Sequence, residues 1–285
     1  MAVSSTESTI GGADRLQRSV GNVSGLAPSQ VWGAGSGHCG KSSKCLKRFR
    51  VGSLNVNTLR GRVCEVMETL SRRRIDVGCV QETGYRGGQC RTIKGKDSKY
   101  KLFWSGNDNG MAGMGVFLAE EWIEKVFEVQ RVSDRIILVK LVVGQRVLMT
   151  VKIPASDFLI PYGDWNDHVG SIGTGFREVH GGLGYGRPDP DTEGERILDY
   201  AQAFDLVVGN TCFKKRDSHL VTYESGGAAT QIDFILFRRN MRKLVTDVKV
   251  IPGEELALQH QLLVCDILID MPTKAKHKFI PRLKV

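Results

Sequence analysis

The stretch Phe158-Leu-Ile-Pro-Tyr-Gly-Asp-Trp-Asn166 decides how the rest of the chain is read. An apolar run suited to a buried strand meets Gly163, then presents a carboxylate, Asp164, and an amide, Asn166, two positions apart. Side chains alternate along a strand, so these two leave on one side. At the carboxyl end of a strand in an open α/β sheet, that side faces the crevice where ligands bind. A carboxylate and an amide on one edge can activate a water and hydrogen-bond a developing oxyanion. An ordinary turn uses the same two residue types, so partners elsewhere in the chain decide between the readings.

The pattern recurs. Phe49–Leu54 reads as a strand and ends in Asn55-Val-Asn57. In Gly61–Arg74 the residues Val63, Val66, Met67 and Leu70 stand at helical spacing with charge on the other face. A short strand, Asp76–Val80, then runs into Gln81-Glu82-Thr83. Strand, helix and strand in so short a span make a βαβ unit with parallel strands. Both strands of such a unit end at one edge, so Asn55, Asn57 and Glu82 are expected to converge. Further strands are expected at Lys101–Trp104, Gly113–Leu118, Phe127–Gln130, Ile136–Val142 and Val147–Val151, with hairpin separators such as Asn107-Asp-Asn-Gly110. A Gly-rich loop, Gly170–Gly186, precedes a helix over Glu193–Ala203 and a strand at Leu206–Gly209 that ends in Asn210. Val221–Tyr223 and Gln231–Phe237 read as strands joined by a loop, Glu224–Thr230, and Asp233 lies early in the second. His260 comes just before a last strand at Leu262–Leu268.

Glu82 beside an amide offers hard oxygen ligands suited to Mg²⁺ held together with a substrate phosphate. Asp233 is placed to orient His260, and an imidazole so held stabilises charge on phosphorus oxygens. The reaction this set could serve is phosphodiester hydrolysis with a metal as Lewis acid.

Composition sets the frame. A chain of 285 residues accommodates one large α/β domain or two small ones, and 41% apolar with 25% charged residues is ordinary for a globular protein. No apolar run approaches the roughly 20 residues that cross a bilayer, and the first twenty residues do not read as a secretory signal. Seven cysteines without a framework suit a reducing compartment, and Cys39 and Cys45 lack the partners of a zinc site. These features predict a nuclear or cytoplasmic monomer, not secreted and with no membrane partner. A net charge of +9 favours polyanions such as nucleic acid. Much of the excess lies in Lys41–Arg50, which also fits a weak nuclear signal, and in Lys274–Lys284. Residues 1–46 are expected to be a disordered tail, 47–270 the folded domain and 271–285 a basic tail.

Ser53-Leu-Asn-Val-Asn57, Val80-Gln-Glu-Thr83, Gly163-Asp-Trp-Asn166, Gln231-Ile-Asp-Phe-Ile235 and Gln259-His260 resemble, in order, the motifs of the endonuclease/exonuclease/phosphatase superfamily. The likeness extends over about residues 48–270 and includes the endonuclease domain of RTE/BovB-type non-LTR retrotransposons and craniofacial development protein 2-like proteins. Thr58–Arg62, Phe213–Arg216 and Thr222–Gly227 add to it, and Lys278–Val285 resembles the start of a linker to a reverse transcriptase. The resemblance implies a four-layer α/β sandwich, two mixed sheets flanked by helices. It implies that Glu82, with Asn57 in support, holds Mg²⁺, with Mn²⁺ as an alternative. Asp164 would position or deprotonate the attacking water, Asn166 would bind the scissile phosphate and Asn55 would order the cluster. Asn210 would contact phosphate, and Asp233 and His260 would form the orienting pair. The substrate implied is DNA.

Two departures from the family pattern stand out. Ser-Asp often precedes the histidine in the family, whereas here Leu258-Gln259 does. The second lies between Val151 and Phe158, where only Lys152-Ile-Pro-Ala-Ser-Asp157 intervenes. The family carries there a loop with an active-site tyrosine and a helix, and a parallel crossover needs a dozen or more residues. The sandwich is therefore expected to lack one crossover helix, to expose an apolar sheet face and to carry Asp164 away from Glu82 and His260. An impaired endonuclease is the leading expectation. The alternatives are a non-catalytic product that binds nucleic acid or protein, and a phosphatase acting on small phosphoesters.

Overall fold

The computed structural model describes residues 45–143, 146–149, 158–254, 256–257 and 259–271, without the side chains of 45, 143, 146–149 and 158. Both expected tails and the connection Lys152–Asp157 fall almost wholly outside the described residues.

In chain order the elements are β1 (Cys45–Asn55), α1 (Val63–Arg72), β2 (Val77–Gln81), β3 (Gly87–Lys94), β4 (Lys99–Gly106), β5 (Met114–Ala119) and α2 (Glu120–Ile123). There follow β6 (Val126–Arg131), β7 (Ile137–Val143), β8 (Arg146–Met149), β9 (Phe158–Leu159), β10 (Tyr162–Asp164), α3 (Thr192–Ala203) and β11 (Leu206–Val208). The last are β12 (Tyr223–Ser225), β13 (Ala228–Thr230), β14 (Asp233–Arg238), β15 (Val245–Ile251) and β16 (Leu262–Met271).

The first sheet has seven strands in the order β15-β16-β1-β2-β5-β4-β3. Its one parallel pair is β1 with β2, in register Val51↔Val77 to Asn55↔Gln81, as the βαβ reading requires. The opposing strands form β6-β7-β8-β9 and β10-β14-β11. The segment from Phe158 to Asp164 passes from one set to the other. The expected single strand Phe158–Tyr162 is instead two short ones, because Pro161 has no N–H for a ladder. Its carbonyl still accepts from Leu236 N at 2.7 Å.

Alternation along the strands builds three cores. Phe49, Val51 and Val116 of the first sheet meet Ile137, Ile235 and Phe237 of the second. On the outer side of the first sheet, Val63, Val66, Met67 and Leu70 of α1 pack on Leu54, Val80 and Phe117. On the outer side of the second, Ile197, Leu198 and Ala201 of α3 pack on Leu206, Val208, Phe234 and Leu236. Neighbours such as Phe234 and Ile235 thus serve opposite cores, the period of two of a strand buried on both faces. The layers run α1, sheet, sheet, α3. That is the four-layer α/β sandwich expected from the sequence. No helix among the described residues is long and apolar enough to cross a membrane.

Two glycines permit the helix contacts. A Cβ on Gly78 would stand 2.6 Å from Leu70 Cδ1, so α1 lies directly on β2 there. A Cβ on Gly194 would stand 1.8 Å from the His168 carbonyl, so the first turn of α3 seats on the preceding loop. Asp191 caps that helix, its Oδ1 accepting from Gly194 N at 2.8 Å and His168 N at 3.4 Å.

On the described side chains of β6 and β7, Phe127 and Val142 are exposed, while Leu138 is buried and Lys140 pairs with Glu128. Val126 and Val129 of β6 are half-buried.

A half-buried carboxylate joins β1 to α2 at the far end of the first sheet. Asp76 accepts from Arg50 N at 2.7 Å and from Trp122 Nε1 at 2.8 Å, and burial pushes its pKa up to about 6 despite both donors. Asp76→Asn turns one acceptor into a donor facing an N–H. It is expected to cost about 1–3 kcal/mol in urea unfolding, and an unchanged midpoint would refute the account. Asp191→Ala is expected to cost about 1 kcal/mol through loss of the α3 cap, measured in the same way.

Candidate functional site

Asn55, the last residue of β1, is buried, and its Nδ2 donates to Glu82 Oε1 at 2.9 Å and Asp164 Oδ2 at 3.1 Å. Those carboxylates come from opposite sheets, and the shared donor keeps the two oxygens within about 6 Å of each other. The Asn55 side-chain Oδ1 accepts from Asn57 N at 3.0 Å. The turn is held further by Val56 N to Gln81 O, Leu59 N to Thr83 O and Thr83 N to Gly113 O.

Asp164 ends β10, and its place is set by the antiparallel ladder with β14, in which Asp164 faces Asp233. Its Oδ1 accepts from Asn166 N at 3.1 Å. The expected displacement of Asp164 does not occur, since it remains bonded to Asn55 and lies 3.7 Å from His260 Nε2. Pairing with β14 positions this residue whatever the length of the connection that precedes it.

Asp233 is buried, and its Oδ2 meets His260 Nδ1 at 3.0 Å. Its backbone N donates to Thr222 Oγ1 at 3.0 Å. His260 is seated by a backbone bridge to Tyr223, whose ring meets the imidazole edge-on at 4.8 Å. Burial pulls the imidazole pKa down, but the bond to Asp233 and the charges of Asp233, Asp164 and Glu82 outweigh it and leave it raised. Burial also pushes the Asp233 carboxyl up, to about 6, against the pull of His260.

Five of the eight expected residues, Asn55, Glu82, Asp164, Asp233 and His260, thus meet through their side chains. The other three are arranged differently. Asn57 and Asn166 have φ of 61° and 58° and are exposed, so neither continues its strand and the expected same-side projection of Asp164 and Asn166 fails. Each reaches the cluster through its backbone N–H. Asn210 is buried, donating from Nδ2 to Asp233 O at 3.0 Å and accepting at Oδ1 from Ile235 N at 3.0 Å. Its amide clamps β14, which corrects the expectation that it is directed at a phosphate. Thr222 and Tyr223, which the sequence marked as part of a strand and of a resemblance but not as site residues, prove to seat Asp233 and His260. No spacing signal in the sequence could have singled them out.

A cavity of about 520 Å³ opens beside the cluster, with Asn55, Glu82, Asp164 and Asn166 at one end and Met111 and Ile136 among its other walls. Asp164, Asp233 and His260 offer three ligand atoms within 4.8 Å of one another, a set that could hold a metal ion. Both His260 nitrogens already face carboxylates, however. The hard oxygens of Glu82 and Asp164, drawn together by a neutral donor, fit a divalent cation such as Mg²⁺ better.

No family model matches the chain. Over 132 residues, 45% of the chain, it is 33% identical to craniofacial development protein 2 of Tragulus javanicus, and comparably so to that of Bos taurus. The matched part spans about a fifth of the length of these curated relatives. Among solved structures, the catalytic domain of Xenopus laevis APE2 superposes with a TM-score of 0.51 at 13% identity, covering 80% of this chain and 94% of that one. The endonuclease domain of TRAS1, a telomere-specific non-LTR retrotransposon, gives 0.51 at 14% identity, covering 80% of this chain and all of that one. The chain is thus similar to craniofacial development protein 2 over less than half of its length, and its fold is that of the APE2 catalytic domain and the TRAS1 endonuclease domain.

Proposed function

We propose that this chain is a divalent-metal-dependent phosphodiesterase acting on DNA, of retrotransposon origin. The observation that carries the reading is the single Asn55 amide joining Glu82 to Asp164, with His260 between Asp164 and Asp233. The net charge of +9 and the nucleases among the neighbours support a polyanionic substrate.

Each residue has a role in this scheme. Glu82, with Asn57 beside it, would hold Mg²⁺ or Mn²⁺, which supplies Lewis acidity to the scissile phosphate when bound. Asp164 takes the proton of the attacking water, and Asn55 fixes the carboxylate that receives it. Asn166, exposed at the rim of the cavity, donates its amide to a phosphate oxygen. His260, protonated and directed toward Asp164, stabilises the charge that develops on the phosphorus oxygens. Asp233 holds the imidazole through Nδ1, and Asn210 holds the strand that carries Asp233. A non-catalytic binding role has one observation in its favour, the six residues between Val151 and Phe158 where the family carries a tyrosine-bearing loop and a helix.

Nicking of supercoiled plasmid in Mg²⁺ is expected and should vanish in EDTA. Glu82→Ala and Asp164→Ala are each expected to lower the rate about 10²–10³-fold, with unchanged circular dichroism. A folded wild-type chain that never nicks would decide for the binding role. The pH–rate profile tests His260. Its proton is held partly by Asp233, so activity should decline as pH rises through the imidazole pKa. Removing that charge in Asp233→Asn lowers the pKa and should move the alkaline limb to lower pH. An unmoved limb would show that His260 does not act as the cation.

A further inference from the structure

Beyond Glu82 the chain continues as Thr83-Gly84-Tyr85-Arg86 and enters β3, the exposed edge of the first sheet. A separate cavity of about 220 Å³ lies there, lined by Tyr85, Arg86, Arg91, Leu102 and Trp104. The Tyr85 and Trp104 rings meet edge to face, with centroids 5.2 Å apart. Both rings are half-buried over Leu102, which is fully buried. Trp104 is held in place: its Nε1 donates to Arg86 O at 3.2 Å, and its own carbonyl accepts from Arg131 Nε at 2.9 Å. Arg131 also donates to Gln89 O, which ties this corner to the end of β6.

The charge around the aromatic pair is one-sided. Arg86 and Arg91 are exposed, and among the described residues neither has a carboxylate within ion-pair distance. Arg60, whose Nε donates to Gly84 O at 2.8 Å, adds a third cation on the path from Glu82 to Tyr85. The cavity is smaller than the roughly 300–1,000 Å³ of pockets that enclose a whole small molecule. It is suited instead to one unit of a longer ligand. Aromatic faces beside guanidinium groups are what a base with its phosphate needs when it is out of a duplex.

We infer that the Tyr85–Trp104 cavity is a second binding site, for one unpaired nucleotide of a single-stranded DNA flank, its base on the aromatic pair and its phosphate on Arg86 and Arg91. The site rests on the nucleic-acid reading of the neighbouring cluster but not on turnover. A strand passing through the Glu82 cleft would continue past Arg60 to Tyr85. The site therefore favours DNA that is single-stranded on one side of the reacting phosphate.

The test is binding of the full chain to a labelled dT15 and to a labelled 15-base-pair duplex by fluorescence anisotropy, in EDTA so that no cleavage occurs. Wild type is expected to bind dT15. Tyr85→Ala should weaken dT15 binding at least about fivefold, the scale of one base stacked on an aromatic ring, and duplex binding less than about twofold. The double variant Arg86→Ala/Arg91→Ala, at exposed positions that do not endanger folding, should lower the salt slope for dT15 by about 0.7, the share of one phosphate on a single strand. Absence of dT15 binding by wild type, unchanged binding in the variants, or equal losses on dT15 and duplex would each overturn the site while leaving plasmid nicking as it is. Tyr85-dependent dT15 binding by a folded chain that nicks no plasmid would support the site and overturn the catalytic reading alone.

Discussion

The Asn55 side chain is the contact on which the rest of this cleft depends. One buried nitrogen with two hydrogens donates to a carboxylate from each sheet. Two carboxylates so close repel, and a buried amide that lost either acceptor would be left with an unmet donor. The two sheets must therefore end in register with each other to within a hydrogen bond. A neutral donor matters as much as its position. A lysine at this point would draw the same two groups together but cancel their charge, whereas asparagine leaves the negative potential in place for His260.

The other half of the cluster hangs on β14. Asn210 bonds the backbone of that strand on both sides of Phe234, and Thr222 takes the N–H groups of Ile232 and Asp233. With β14 fixed, the ladder Asp164↔Asp233 fixes Asp164 in turn. This explains why a connection of only six residues between Val151 and Phe158 leaves the cluster assembled. A ladder of backbone bonds determines where a strand end lies more strongly than the path by which the chain arrives.

What the sequence disclosed follows from this division of labour. The unit β1-α1-β2 was legible because Val63, Val66, Met67 and Leu70 keep helical spacing on the one buried face of α1, between two apolar runs whose strands are buried on both faces. β3 was missed because it is an edge strand whose one buried side chain is Ile93, so it has no alternation to read. β15 was missed because a bulge between Val245 and Asp247 breaks the period of two. The span Glu224–Thr230 was expected as a loop and is mostly the hairpin β12–β13, turning at Gly226-Gly227, both at positive φ. In the site, the residues that act through side chains were visible as polar strand ends. The arrangement of Asn57 and Asn166 was not, because alternation predicts where a side chain points only while the strand lasts. The role of Asn210 was hidden for a related reason, since a buried amide bonded to backbone looks in sequence like one awaiting a ligand.

Backbone conformation offers a separate line of argument about the cleft. Five residues other than glycine have positive φ among the described residues: Asn57, Arg74, Glu82, Asn166 and Asp205. Arg74 and Asp205 directly follow the C-caps of α1 and α3, where a left-handed residue is the ordinary way to end a helix. The remaining three all lie around the carboxylate cluster, one at each strand exit that delivers a site residue. Such a conformation costs roughly 1–3 kcal/mol for a residue with a side chain, so three of them in one cleft persist only because their neighbours over-determine them. Asn55 Oδ1 holds Asn57 N, Asp164 Oδ1 holds Asn166 N, and Thr83 N, directly after Glu82, is held by Gly113 O. The groups that enforce the strained turns are thus in large part the site residues themselves. Glu82 leaves its strand in this conformation with its carboxylate exposed yet bonded to Asn55. A merely structural turn would place glycine there and avoid the strain. Glutamate stands there instead, and its carboxylate accepts the Asn55 amide across the strained turn.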